Sequence, residues 1–101
     1  MIVVLRQIQV IYPDKWAELE AIDKKYNLVE GRLGFPAKKR YQLLSGRGEV
    51  QTLIVETQWP SMAVLESTYE KAMADPEYQA LQMGAIPIIK STNWELYSVL
   101  P

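Results

Sequence analysis

Apolar and polar positions alternate along the chain in six segments, which predict the order strand, helix, strand, strand, helix, strand. The four strand segments are rich in β-branched and aromatic residues, and turn residues separate them. They cover residues 2–10, 38–45, 50–59 and 91–100. Residues 46–48, Gly-Arg-Gly, are predicted to form the hairpin turn between the second and third strands.

The first helix is predicted to begin near Pro13 and Asp14, which suit the positive end of a helix, and to reach about Leu28. Its apolar residues recur at near-helical spacing, at Trp16, Leu19, Ile22 and Tyr26. Residues 30–36 contain two glycines and a proline, so we expect a loop there.

The second helix is predicted to start at Ser61, a favourable N-cap residue. The step Asp75-Pro76 should interrupt it, because proline restricts the backbone of the residue before it. Pro76 can then open a short further helix. The expected buried residues are Met62, Leu65, Tyr69, Ala72 and Met73 before the break, and Tyr78, Leu81 and Met83 after it.

Two split βαβ units with right-handed crossovers predict an α+β sandwich with ferredoxin-like βαββαβ topology and an antiparallel sheet of order 4-1-3-2. Helices would then cover one face of the sheet only. In the first strand the even positions are predicted to face the helices. These are Ile2, Val4, Ile8 and Val10, and Arg6 is the one even position that does not fit. The opposite face also carries apolar and aromatic residues, which favours a homodimer that buries it.

Composition narrows the function without defining it. The 101 residues form one domain, 1–101, with 49% hydrophobic residues and a net charge of −1, which argues against nucleic acid as a partner. Because cysteine and histidine are both absent, the chain by itself offers no thiol nucleophile, no Ser-His-Asp arrangement and no Cys/His metal or haem ligand. The N-terminus has no signal-peptide pattern and no apolar run is long enough to span a membrane, so we expect a soluble cytoplasmic protein. We also expect no cofactor.

Arg6 is the most informative single residue. An arginine in an apolar central strand needs a carboxylate or a ligand anion, since an unpaired buried charge is costly. We predict a mostly buried pair with Glu56 in preference to a substrate contact. The basic run Lys38-Lys39-Arg40 is interpreted as protection of a sheet edge rather than as an anion site.

The chain also resembles the dimeric α/β barrel superfamily, and within it the NIPSNAP-like and antibiotic-biosynthesis-monooxygenase-like small proteins. The resemblance covers nearly the whole sequence. It rests on VVLRQIQVIYPDK, GFPAKKRYQLLSG, ETQWPSMAVLESTYEKAMADPEYQAL and STNWELYSVLP. It implies the fold and the homodimer, with Arg6 at the position of an arginine that precedes a proline-containing turn in NIPSNAP-like proteins.

The resemblance leaves three functions open. Haem-degrading and haem-peroxidase members use a histidine that this chain lacks. The first hypothesis is a homodimer that binds a small apolar or aromatic molecule between sheet and helices. The second is a cofactor-independent monooxygenase for electron-rich aromatic substrates, and the third is a non-catalytic assembly module. No catalytic residue is assigned, and the candidate ligand-binding residues are Arg6, Tyr41, Trp59, Tyr69 and Trp94.

Overall fold

The computed structural model describes all 101 residues as four strands and three helices in the predicted order. The strands are β1 (Val3–Ile11), β2 (Lys38–Gln42), β3 (Thr52–Trp59) and β4 (Ile89–Ser98). The helices are α1 (Trp16–Leu33), α2 (Met62–Ala74) and α3 (Pro76–Ala85). None of the helices is long and apolar enough to cross a membrane.

The four strands form one antiparallel sheet in the order β2-β3-β1-β4, which is the predicted order read from the other edge. All three helices lie on one face of this sheet. The molecule measures 37 × 35 × 17 Å, and 17 Å has room for a sheet and a single layer of helices about 10 Å in diameter. The other side of the sheet, which we call the open face, is therefore uncovered in the single chain.

The prediction of which β1 residues face the helices is wrong. The buried positions are odd-numbered, with Val3, Leu5 and Ile11 at most 4% exposed, so the even positions lie on the open face. The error arises because β1 is apolar on both sides, and a shift of one residue exchanges the two faces of a strand. Gln7 and Gln9 misled the assignment, since both are polar and yet lie on the helix side.

Helix α1 extends five residues beyond the predicted end, and the first part of the expected loop is helical. Gly31 lies inside the helix, where glycine costs roughly 1 kcal/mol relative to alanine. This cost is offset by burial of Val29 and Leu33 against α2 and α3. The helix ends at Gly34, whose φ of +88° is left-handed and whose N–H donates to the carbonyl oxygens of Glu30 and Gly31.

Two strands are shorter than predicted around the hairpin. β2 ends at Gln42 and β3 begins at Thr52, so the connection spans residues 43–51. Within it Gly46 and Gly48 have φ values of +129° and +104°, which residues other than glycine rarely adopt. The predicted turn position is right, but the turn is one part of a longer loop.

The predicted break at Asp75-Pro76 is confirmed. Asp75 has an extended backbone, with φ −85° and ψ 123°, and its side chain accepts a hydrogen bond from the Tyr78 N–H at 3.1 Å. Ser61 caps α2 in the same way through the Val64 N–H. The predicted burial of three methionines is wrong, because Met62, Met73 and Met83 are 36%, 46% and 68% exposed, and Ala85 is buried instead.

The apolar core lies between the sheet and the helices in adjacent clusters. One contains Val3, Leu5, Trp59 and Leu65, and another contains Ile11, Leu19, Leu53 and Ile88. Strand β4 contributes little to either, since every residue from Lys90 onward is exposed. The sheet edge formed by β4 therefore leaves space between the helices and the sheet.

Candidate functional site

A cavity of about 470 Å³ opens between the helix side of the sheet and helices α1 and α3. Its walls are about half apolar and half polar, and Trp94 stands at its β4 edge. The apolar wall residues are Leu19, Ile22, Tyr26, Leu53, Val55, Tyr78, Ala85, Ile86, Ile89 and Trp94. This volume lies in the range of sites for small molecules.

A second hollow of about 780 Å³ lies over α2, with Tyr69 and Trp94 on its rim. It is lined by only seven residues and is much wider open to solvent than the first. A ligand there would remain largely hydrated, so little apolar area would be removed from water. The first cavity, which is the less open of the two, is therefore the better candidate site.

One end of the cavity is a charged triad formed by Lys38, Asp23 and Glu30. The Lys38 ammonium donates hydrogen bonds to Asp23 Oδ1 at 2.6 Å and to Glu30 Oε1 at 3.1 Å. Strand β2 supplies the lysine and α1 supplies both carboxylates, seven residues or two helical turns apart, so they lie on the same side of the helix. The lysine is thus paired with both carboxylates, and Arg40 Nη1 also lies 3.7 Å from Asp23 Oδ2.

Burial raises the pKa of Glu30 above its ordinary value, and the nearby Lys38 opposes this effect only in part. A carboxyl group with a raised pKa in a partly apolar cavity can donate or accept a proton near neutrality more readily than an exposed one. Burial therefore favours the protonated form of Glu30, while its hydrogen bond from Lys38 favours the carboxylate.

Tyrosines surround the same region but are not bases. Burial raises the pKa of Tyr26 and Tyr69 above their ordinary values and raises that of Tyr78 to about 12. Near neutral pH these phenols stay protonated, and a protonated phenol is able to donate a hydrogen bond to a ligand.

Of the five predicted ligand-binding residues, three are brought together, since Trp59 and Trp94 both contact Tyr69. Arg6 and Tyr41, in contrast, lie on the open face, according to the register of β1, β2 and β3. Trp59 and Trp94 lie on the helix side. Trp59 is only 1% exposed and donates to Thr57 Oγ1 at 2.8 Å, so it fills the core. Trp94 alone of the five lines the cavity.

Tyr69 connects the core to the cavity edge. Its ring packs on Phe35, Trp59 and Trp94 with centroid distances of 5.1, 5.8 and 5.5 Å. Such tilted and edge-to-face contacts stabilise the aromatic cluster. The contacts hold the Trp94 ring at the β4 edge of the cavity.

The predicted ion pair of Arg6 with Glu56 is present, with Nη2 to Oε1 at 2.7 Å and Nε to Oε1 at 2.9 Å. The prediction that Arg6 is mostly buried is wrong for the single chain, where its side chain is 40% exposed. The reason is that its strand position faces the open side. The guanidinium also lies 5.2 Å from the ring centre of Tyr97, a cation–π distance.

The interpretation of the basic run in β2 as edge protection is wrong for two of its three residues. Lys38 points to the helix side and joins the triad, and Arg40 pairs with Glu20 at 2.7 and 3.1 Å. Lys39 alone is exposed. β2 is an edge strand, as predicted, but its basic side chains connect it to α1.

The polar residues that line the cavity were not among the site residues predicted from the sequence. Asp23, Glu30, Gln7 and Gln9 are all in its walls. A signal was available for the glutamines, since Gln-x-Gln in a central strand places two amides on the same face. For the carboxylates no signal existed, because their partner is in another element.

Solved structures with the same fold exist. An uncharacterised NIPSNAP domain protein from Burkholderia xenovorans is 18% identical, with a TM-score of 0.80 over 99% of this chain and 95% of that chain. An antibiotic biosynthesis monooxygenase is 14% identical, with a TM-score of 0.69 over 100% of both chains. SnoaB, a cofactor-independent oxygenase from Streptomyces nogalater, is 14% identical, with a TM-score of 0.68 over 97% of this chain and 92% of its own.

No protein-family model matches the sequence, and no curated protein matches it. At these identities the likeness establishes the fold. The chain has the ferredoxin-like fold of NIPSNAP-like and antibiotic-biosynthesis-monooxygenase-like proteins, as the resemblance in the sequence implies.

Proposed function

We propose that the protein binds a small, largely apolar or aromatic molecule in the cavity between the sheet and helices α1 and α3. The observation that carries this proposal is a 470 Å³ space in which ten of the nineteen lining residues are hydrophobic. Two of the lining residues, Leu19 and Leu53, also belong to the buried core, so the space borders the core of the fold. Burial of an apolar ligand there would remove apolar area from water on both partners.

Filling the cavity tests this function. Ala85→Leu adds volume inside the cavity, and Ile86→Trp blocks its mouth from an exposed position. Ala80→Leu is the control, because Ala80 is an exposed residue of the same helix that does not line the cavity. We expect wild type and Ala80→Leu purified from cells to carry the same small molecule, identified by mass spectrometry, and both cavity variants to lack it.

A loss in Ala85→Leu alone would not be decisive, because added volume in a core strains the fold. Ile86→Trp avoids this difficulty. Equal amounts of bound molecule in Ile86→Trp and Ala80→Leu, each with a wild-type melting curve, would exclude the cavity as the binding site.

Cofactor-independent monooxygenation is the second candidate. It is supported by the raised pKa of Glu30, which suits that carboxylate to take a proton from an aromatic hydroxyl, and by the similarity to SnoaB. The test is oxygen uptake with a panel of dihydroxy-aromatic compounds. We expect uptake by wild type and little by Glu30→Gln, whereas no uptake by wild type with any compound would remove this candidate.

We also propose that two copies pack by their open faces into a dimeric α/β barrel. The register places Lys39, Glu56, Arg6 and Glu95 in a single row across the four strands. The charges in this row alternate, and apolar residues flank it, among them Ile8 and Ile54. A two-fold axis that reverses the row brings Arg6 against Glu56 and Lys39 against Glu95, so the face is complementary to itself. A protein that dimerises but leaves its cavity empty would instead be an assembly module.

A further inference from the structure

Two glutamines occupy positions on the sheet where a core residue would be expected. Gln7 and Gln9 lie on the helix side of the central strand β1, in the walls of the cavity and partly buried. In the register Gln7 lies between Val55 and Trp94, and Gln9 lies between Leu53 and Thr92. Neither amide has a hydrogen-bond partner within the chain.

The spacing of the two amides defines an edge for recognition. Residues two apart on a strand project to the same face about 6.7 Å from one another. Each carboxamide has two N–H donors and one carbonyl acceptor. A rigid ligand lying along β1 can therefore meet donors and acceptors at both ends of one edge, while its other surfaces contact Leu53, Val55 and Ile22.

The charged groups around the cavity disfavour an anion. Lys38 is already paired with Asp23 and Glu30, so this end of the cavity presents carboxylate oxygens and no free cation. The other lysine in the walls, Lys90, is half exposed at the opposite end and lies 3.8 Å from Glu49. A carboxylate or phosphate at the triad end would face the carboxylate oxygens of Asp23 and Glu30, which repel an anion but can accept a hydrogen bond from an uncharged group.

We propose that the cavity selects an uncharged ligand with an apolar ring-sized body and carbonyl, amide or hydroxyl groups along one edge, held by the side chains of Gln7 and Gln9. This inference rests on the proposed binding function and adds the chemical class of the ligand. It also assigns a role to two residues that contribute little to packing.

Three probes of nearly equal size separate the chemical classes: naphthamide, naphthoate and naphthalene. At neutral pH the first is uncharged with a donor and an acceptor, the second is an anion and the third has no polar group. Dissociation constants are measured for the dimer or monomer as purified, by isothermal titration or by quenching of tryptophan fluorescence. We expect naphthamide to bind most tightly and naphthoate most weakly.

Gln7→Leu and Gln9→Leu should each weaken naphthamide binding by about 5-fold, the effect of one lost hydrogen bond, and leave naphthalene binding unchanged or tighter. The matched control is Gln42→Leu, because Gln42 is an exposed glutamine of β2 outside the cavity. This variant should change neither the affinity for naphthamide nor the affinity for naphthalene. A second readout excludes a purely structural role. If the glutamines serve a ligand, replacement by leucine should raise the melting temperature of the unliganded protein, whereas loss of a structural contact would lower it.

The outcomes separate this inference from the proposed function. Binding of naphthoate as tight as that of naphthamide, or unchanged naphthamide affinity in both leucine variants, would overturn the inference and leave the binding function standing. Absence of binding by all three probes would overturn both.

Discussion

At the residue scale, the polar groups of this protein are divided between two sides of one sheet. Arg6, Glu56 and Glu95 form a paired group on the open face. Lys38, Asp23 and Glu30 form another on the helix side. The alternation of side chains along a strand keeps these two groups apart, so each can be tested by substitution without direct contact with the other.

The ion pair of Arg6 and Glu56 should be measurable by a double-mutant cycle. Because Arg6 is half exposed in the single chain, we expect a coupling free energy of about 1 kcal/mol between Arg6→Met and Glu56→Gln when the chain is monomeric. In a dimer that covers the open face the coupling should be larger, since burial removes solvent screening. The coupling free energy is measured by urea unfolding of wild type, the two single variants and the double variant at several protein concentrations. Strictly additive losses of unfolding free energy would show that the residues do not interact.

Glu30 should make stability depend on pH in a direction opposite to that of most carboxylates. Its pKa is raised in the folded protein, so its stabilising contribution is present below the unfolded pKa and is lost as pH rises through the folded pKa. Relative to Glu30→Gln, wild type should therefore gain stability as the pH falls from 7 toward 4.5, the ordinary value for glutamate.

Glu20 is the matched control, since it lies in the same helix and the Arg40 hydrogen bond lowers its pKa. Its contribution is present above the unfolded pKa and is lost as the pH falls. Relative to Glu20→Gln, wild type should thus lose stability as the pH falls below 4.5, the ordinary value for glutamate. Urea unfolding at several pH values measures both differences, and parallel trends for the two variants would contradict the assignment.

At the element scale, capping residues mark where helices begin and end, while packing against other helices determines how far a helix such as α1 extends. Asp75 ends α2 and caps α3, and it also pairs with Arg32 of α1 at 2.9 Å. One side chain therefore connects the ends of three helices. Ser61 caps α2 with a single hydrogen bond and no ion pair, so the two caps can be compared directly.

Asp75→Ala should lower the melting temperature by roughly 4–8 °C, and by more than Ser61→Ala. Asp75→Asn keeps the capping oxygen but removes the charge, so its effect should be smaller than that of Asp75→Ala. Differential scanning calorimetry provides the comparison. A smaller shift for Asp75→Ala than for Ser61→Ala would mean that the junction of α2 and α3 does not depend on this cap.

At the scale of the whole molecule, the main feature is that one face of the sheet is left exposed to solvent in the single chain. A slab 17 Å thick, with Ile8, Ile54, Tyr41 and Tyr97 on its bare side, leaves apolar area in water. The alternating charges of the central row restrict how a second copy can cover it. Both features lead to the same expectation for the oligomeric state.

Sedimentation equilibrium at micromolar concentration should give twice the 11.6 kDa mass of the chain. Ile54→Lys places a charge at the centre of the open face and should give a monomer. Leu28→Lys, an equivalent change at an exposed position of α1, should leave the dimer intact. A well-folded wild-type monomer at this concentration would refute the proposed barrel.

Short-range patterns were sufficient for the order of elements, the Asp75-Pro76 break and the strand order. Each of these depends on local periodicity, on the backbone restriction of proline or on the handedness of crossovers. The length of α1 was not predictable in this way. Gly31 is a local signal for a loop, and only packing of Val29 and Leu33 against other helices reverses it.

The sequence by itself determined that the chain is a βαββαβ domain whose Arg6 pairs with Glu56, because periodicity and opposite charges on neighbouring central strands are readable along the chain. Only the tertiary structure decided which face of β1 is covered, because β1 is apolar on both sides and a two-residue period cannot distinguish them. The same choice of face places the side chains of Gln7 and Gln9 in the walls of the cavity. The packing of β2 against α1 brings Lys38 into contact with Asp23 and Glu30. Contacts between distant elements, which leave no periodic trace in the sequence, therefore created the candidate site.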